Sequence, residues 1–336
     1  MSSPFAGAAT GIGSWPGTDV REAAATVVGE LARLPHVVEL PARGVGADLI
    51  GRTSALLVDL DVDANPRGYR LGSRRSAVAR RAHDLLRTDL DAFEEARELS
   101  GSRAGVVKLQ AAGPLTLAAG IELPNGHRVV ADPGARRDVA ESLAEGLTRH
   151  VAEVRRRFAA DVVLQLDEPS IAAVLAGTLP GVSRLQPVPP LPAPDALALL
   201  DTVSGAVDVP VAVHSCGSPV PWELLRRSSA AAVAVDVSQL AKRDLDGVGE
   251  LVESGKDLLL GLVPGTAPAA APTWRELARP AVTLIDRLGF TRAMLRERVG
   301  VSPVCGLAGA SQSWARAALE LTRQIADVFA DEPEAL

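Results

Sequence analysis

Both cysteines of the chain, Cys216 and Cys305, and one of its histidines, His214, fall where apolar runs end. In His214-Ser215-Cys216 an imidazole and a thiol stand two residues apart, and alternate side chains of a strand share a face, so both can point into one space. Joined by Cys305 and by Asp236, which closes another apolar run, the pair makes a donor set of two sulfurs, one nitrogen and one oxygen. Thiolates with imidazole favour Zn(II), and a carboxylate can complete a tetrahedron. Paired Cys-x2-Cys clips, the usual mark of a structural zinc, are missing, so a zinc held this way belongs to a catalytic mouth. The plainer reading is that a buried cysteine is core filler and that His-x-Cys occurs by chance. The placing of both thiols and the histidine at run ends favours the metal.

A second signal is Asp167-Glu168-Pro169, two acids delivered by an apolar run into a rigid turn. Successive residues face opposite ways, so one acid can meet a substrate ammonium or accept a proton while the other caps a helix. Ser14, Glu39, Lys108 and Gln110 also close or nearly close apolar runs. His36, His83, His127 and His150 lie at a run start, on helices or in a loop, and are assigned to structure or solvent.

Eight apolar runs of strand length must position these groups: 9–14, 36–40, 104–110, 161–167, 209–215, 231–237, 258–263 and 299–304. They are apolar on both faces, as buried parallel strands are. Between them, apolar positions at helical spacing predict helices over 20–34, 75–99, 135–158, 195–203, 221–227, 245–254, 274–288 and 312–329. Eight strand-then-helix units predict an α/β fold of the (β/α)8 TIM-barrel class, a single domain over 1–336, with active-site residues at the carboxyl ends of the strands. A doubly wound sheet is the alternative. It lacks support, because GIGSWPG at 11–17 carries Pro16 where a dinucleotide turn needs its third glycine. The polar stretch 61–76 reads as a loop over one barrel end, and the Pro-rich stretches 186–195 and 264–273 as rigid connections rather than interdomain linkers.

Composition narrows the function. The chain has 336 residues, 47% of them hydrophobic, enough for a large core. Its 35 basic residues are outnumbered by 41 acidic ones, for a formal charge of -6, which argues against a nucleic-acid footprint. Two cysteines cannot build a disulfide framework, no run is long and apolar enough to span a bilayer, and the first residues do not read as an export signal. A cytoplasmic enzyme acting on small molecules is the expectation, with a homodimer possible.

The same residues, in the same order, resemble the catalytic half of cobalamin-independent methionine synthase, within the larger group that includes uroporphyrinogen decarboxylase. IGSWPGT (12–18) is similar to that family's Ile-Gly-Ser-Phe-Pro segment and AAGPLTL (111–117) to its Gly-Pro-Val-Thr stretch. LQLDEPS (164–170), HSC (214–216) and PVCGL (303–307) resemble its Asp-Glu-Pro, His-x-Cys and Pro-x-Cys-Gly-Leu motifs. The resemblance implies zinc held by His214, Cys216 and Cys305, with Asp236 where the family has Glu. It further implies a substrate carboxylate bound at the turn of Gly13 and Ser14, and an ammonium held by Glu39 and Asp167, with Asp167 also the catalytic residue of the site.

The chain departs from the family at three points. Asp236 is one methylene shorter than Glu. The segment 261–273 has no histidine where the family carries one for the leaving group, and Ala118-Ala119-Gly120 stands where a folate-stacking Trp is expected. Apart from Asp236, the losses fall on the methyl-donor side. The expected function is a zinc-dependent methyl transfer to the thiol of homocysteine or an analogue, from methyltetrahydrofolate or a corrinoid carrier. Two alternatives are a barrel that has lost its chemistry and only binds a thiol, a corrinoid or a partner methyltransferase, and a metal-free decarboxylase-like lyase. The lyase would need cations near the strand ends, for which Lys108 and Arg43 are the candidates.

Overall fold

The computed structural model of the chain describes residues 3–74, 76–102, 104–183 and 187–336. Its strands are β1 (Asp61–Asn65), β2 (Gly68–Gly72), β3 (Val106–Ala112), β4 (Ile121–Glu122), β5 (Asp161–Asp167), β6 (Val211–Ser215), β7 (Ala232–Asp236), β8 (Asp257–Val263) and β9 (Val299–Pro303). β3, β5, β6, β7, β8 and β9 pair in that order, all parallel, into one curled sheet.

Two extended segments complete the ring. Around residue 9 the chain meets β9 through Thr10 N to Val301 O (3.0 Å) and Val301 N to Ala8 O (2.8 Å). Ser14 is bridged to Glu39, and His36 to Lys108 on β3. These are the expected first two strands, but each pairs through single bridges rather than a regular ladder. The backbone explains the difference: Gly13 has φ +141, outside the extended region, and Pro16, Pro35 and Pro41 offer no N–H. The architecture is that of a TIM barrel, as the strand-then-helix rhythm predicts.

The eight expected helices form, with ends moved by a few residues, the first as Val20–Glu30 and the last as Gln312–Asp331. Asp19, Ser76, Thr273 and Ser311 cap four of them through side-chain oxygens. Thr273 ends the 264–273 connection and, with Glu276, closes a capping box on the helix Trp274–Leu288. Four short helices are additional: Leu49–Ser54, Pro114–Gly120, Ile171–Ala176 and Ala293–Arg298. Position 75, where the second helix was expected to begin, and position 186 of the Pro-rich stretch lie outside the described residues.

The stretch 61–76 is not a plain loop. β1 and β2 form an antiparallel hairpin, and β4 adds to it in parallel. Val62 and Tyr69 turn inward to the main core, which repays ordering a polar segment. Among the described residues no helix is long and apolar enough to cross a membrane.

Candidate functional site: a thiol and imidazole cluster at the barrel mouth

Register brings the site together. β5 and β6 pair so that Asp167 stands opposite His214. Cys216 follows the end of β6, and Cys305 lies two residues beyond β9. β7 and β8 separate those two strands in the sheet, yet its curl brings the sulfurs to 3.7 Å from each other. One ligand atom from each of His214, Cys216 and Cys305 lies within 4.8 Å of the others. Cys216 is half-buried and Cys305 exposed, so the cluster opens to the mouth.

His214 is held from behind. Its Nδ1 lies 2.7 Å from Asp167 Oδ1, an oxygen that also accepts from Gln165 Nε2 at 2.7 Å. Gln165 Oε1 accepts from Lys108 Nζ (2.8 Å), and both side chains donate to Ile12 O, at 2.8 and 3.3 Å. A carboxylate beside Nδ1 fixes the proton there and turns the Nε2 lone pair outward. That Nε2 is buried and has no hydrogen-bond partner. A buried acceptor left open beside two sulfurs fits a soft metal ion, and three protein donors leave a tetrahedral position for a substrate.

The charges agree. Burial lowers the His214 pKa, but the hydrogen bond and charge of Asp167 outweigh it, so the net shift is upward. The two thiols titrate as a pair. Contact with Cys216 holds Cys305 down to about 6 against its burial, while Cys216, beside Cys305 and partly buried, is pushed well above the usual thiol range.

A second set of groups faces the same space. Gly13 N-terminal to Ser14 makes the turn at φ +141, and a Cβ there would lie 2.8 Å from Gln110 Cγ. Glu39 N donates to Gly13 O (3.1 Å) and Trp15 N to Glu39 O (2.8 Å). On the other side, Leu307 N donates to Ser14 O (2.9 Å), and a Cβ on Gly306 would meet Ser14 Oγ at 1.9 Å. The bare Gly306 thus lets the Gly13–Ser14 turn dock against the loop that carries Cys305. Glu39 is 6% exposed, and its Oε1 has no hydrogen-bond partner. Burial raises its pKa to about 7; Arg52 pulls it down and Asp167 pushes it up.

The Asp167-Glu168 pair divides as alternation requires. Asp167 joins the site, whereas Glu168 is fully buried and accepts from Leu115 N (2.9 Å), Thr116 N (2.7 Å) and Thr116 Oγ1 (2.7 Å). It caps the helix Pro114–Gly120 that follows β3, not the one after its own strand. Asp236 ends β7 one step past the Ser215 to Val235 pair, but its Oδ1 accepts from Ser238 N (2.8 Å) and Ser238 Oγ (2.7 Å), and it stands outside the cluster of three.

Lys108 and Arg43, the cations a lyase would need, are committed elsewhere. Lys108 is fully buried in the barrel, and Arg43 pairs with Asp89 at 2.7 Å. The residues that sequence reasoning missed are Gln165, Arg52 and Asp89. Gln165 had a signal: one amide in the apolar run VVLQLD, on the same face as Asp167. Arg52 and Asp89 sit in helices whose spacing marks no function.

A family model described as the catalytic domain of cobalamin-independent synthase matches residues 7–328. Among solved structures, the chain is similar to a B12-independent methionine synthase from Shewanella sp. W3-18-1, in complex with selenomethionine. The TM-score is 0.65 at 13% identity, covering 98% of this chain and 100% of that one. It also matches a GH113 beta-mannanase from Alicyclobacillus acidocaldarius at TM-score 0.43 and 10% identity, covering 98% and 97% of the two chains. No curated protein matches the sequence.

Proposed function

Because the chain belongs to the family of cobalamin-independent synthase catalytic domains, we propose that it is a zinc-dependent methyltransferase that moves a methyl group onto the thiol of homocysteine or a close analogue. The observation that carries this reading is the convergence of His214, Cys216 and Cys305, with the His214 Nε2 lone pair buried and open. These three are the proposed ligands. Asp236 is the proposed fourth and weakest donor, the one that would give way to the substrate thiol, supported by its place at the end of β7 beside the end of β6. Bound zinc favours the thiolate of a coordinated thiol at neutral pH, which is the nucleophile the transfer needs.

The protein's own residues orient the reaction. Asp167, the proposed catalytic residue of the site, holds His214 through Oδ1 and as a carboxylate accepts the substrate ammonium together with Glu39. Backbone N–H groups at the Gly13–Ser14 turn receive the substrate carboxylate. Fixing both charged groups of the α-carbon aligns the thiol at the other end for in-line attack on the methyl group, whose bond to the donor breaks as the S–CH3 bond forms, and alignment supplies much of the rate in such a displacement. The chain keeps this thiol side while lacking a histidine in 261–273 and a Trp after AAGPLTL, so methyltetrahydrofolate and methylcobalamin both need assay as donors. The reduced thiols this chemistry needs suit a cytoplasmic enzyme.

The test is metal analysis followed by turnover. Purified protein should carry about one zinc per chain, bind homocysteine, and form methionine from one of the two donors. Full activity in metal-free protein overturns the zinc mechanism. Tight homocysteine binding with no turnover from either donor would favour a barrel that only binds the thiol.

A further inference from the structure

Behind Glu39 lies a row of buried and partly buried charges that the reaction as described does not use. Arg52, on the helix Leu49–Ser54, is 6% exposed, and its Nε stands 3.5 Å from Glu39 Oε1. Its Nη1 pairs with Asp89, which is fully buried on the long helix Ala77–Ser100. Arg43 reaches the same carboxylate from the other side, at 2.7 Å from Oδ1. One buried anion therefore answers two cations, the buried Arg52 and the partly buried Arg43, and the set balances only when Glu39 is ionised.

We propose that Arg52 is a positioning residue that keeps Glu39 a carboxylate and aims it at the ammonium group of an amino-acid thiol, so that the enzyme prefers an acceptor bearing an α-amine. The geometry suits the role. At 3.5 Å, and with Glu39 Oε1 making no hydrogen bond, Arg52 supplies charge without consuming the lone pairs an ammonium needs. Asp89 anchors the guanidinium to a helix that carries none of the cluster ligands, so Arg52 stays in place when the substrate arrives. The groups that bear on Glu39 are Arg52 and Lys108, which favour its charge, Asp167, which opposes it, and the Gln110 amide, which also lowers its pKa. Arg52 is the stronger of the two cationic influences.

The inference rests on Glu39 binding the substrate ammonium, and the test separates the two. The zinc-loaded protein is titrated with homocysteine and with 4-mercaptobutanoate, which lacks the amine, and the ratio of dissociation constants gives the preference. In Arg52→Gln that preference should fall about tenfold at about pH 7, with the affinity for 4-mercaptobutanoate and the zinc content unchanged. It should recover at about pH 8.5, where Glu39 ionises unaided. Arg52→Lys should retain most of it. If Arg52→Gln does not fold, Arg52→Met, which fills the volume of the stem, carries the same measurement. A preference unchanged in the Arg52 variant but lost in Glu39→Gln overturns the role of Arg52 alone. A preference unchanged in Glu39→Gln overturns the ammonium reading itself.

Discussion

His214 Nδ1 and Asp167 Oδ1 lie 2.7 Å apart, across the register of β5 and β6. The contact decides which imidazole nitrogen is open, because a carboxylate at Nδ1 leaves Nε2 as the acceptor that faces the two sulfurs. It also ties the mouth of the barrel to its interior, through Gln165 to Lys108.

Asp167→Asn should therefore weaken metal binding without abolishing it. Loss of the charged partner behind a ligating histidine typically costs about 10- to 100-fold in affinity. Competition against a chromogenic chelator measures it, and an unchanged zinc constant would show that Asp167 serves the substrate only.

The cysteines should behave more severely. Cys216→Ser and Cys305→Ser each remove a thiolate from a set of three close donors, and both should be isolated with far less than one zinc per chain. Asp236→Ala should lower affinity less than either, since its Oδ1 already accepts two hydrogen bonds from Ser238. Metal analysis after dialysis ranks the three variants.

Glu168 predicts a loss of stability separate from metal binding. Glu168→Ala leaves the buried N–H groups of Leu115 and Thr116 without their acceptor, a cost of about 2–4 kcal/mol. Urea denaturation should show it while zinc content stays at the wild-type level. A stable variant would mean that water enters and satisfies the helix end.

Gly13→Ala forces a side chain into a backbone at φ +141 and against Gln110. The expected cost is about 1–3 kcal/mol. Homocysteine affinity should drop with it, because the turn that receives the carboxylate moves; unchanged affinity removes that turn from the binding site.

Recognition of the amine should depend on pH with a definite sign. The Glu39 pKa is raised to about 7, chiefly by burial, and the ionised form is the one that accepts an ammonium. The preference for homocysteine over 4-mercaptobutanoate should therefore be weak at low pH and rise as the pH passes through about 7. A flat profile between about pH 6 and 8 would assign the amine to another group.

The sequence by itself determined the strand-then-helix rhythm, the helices to within a few residues, and the polar residues that end the apolar runs. Those features are local: alternation and helical spacing act over a few residues, so they can be read along the chain. The convergence of Cys216 and Cys305 was an inference from barrel geometry, and only the curl of the parallel sheet brings the sulfurs to 3.7 Å. Alternation along the strand required Asp167 and Glu168 to part, and the resemblance pointed to Asp167, but only the tertiary structure shows where Glu168 goes. Glu168 is drawn away because the helix after β3 presents unpaired N–H groups where it can reach them. Asp236, paired with Gly261 of β8 at the end of β7, has its Oδ1 taken by a serine two positions on. The hairpin of β1 and β2 stayed hidden in a polar stretch because few apolar residues, Val62, Tyr69 and the partly buried Leu71, anchor it. The charge row from Arg43 to Glu39 could not be read at all, since burial and pairing across three separate segments give those side chains their meaning.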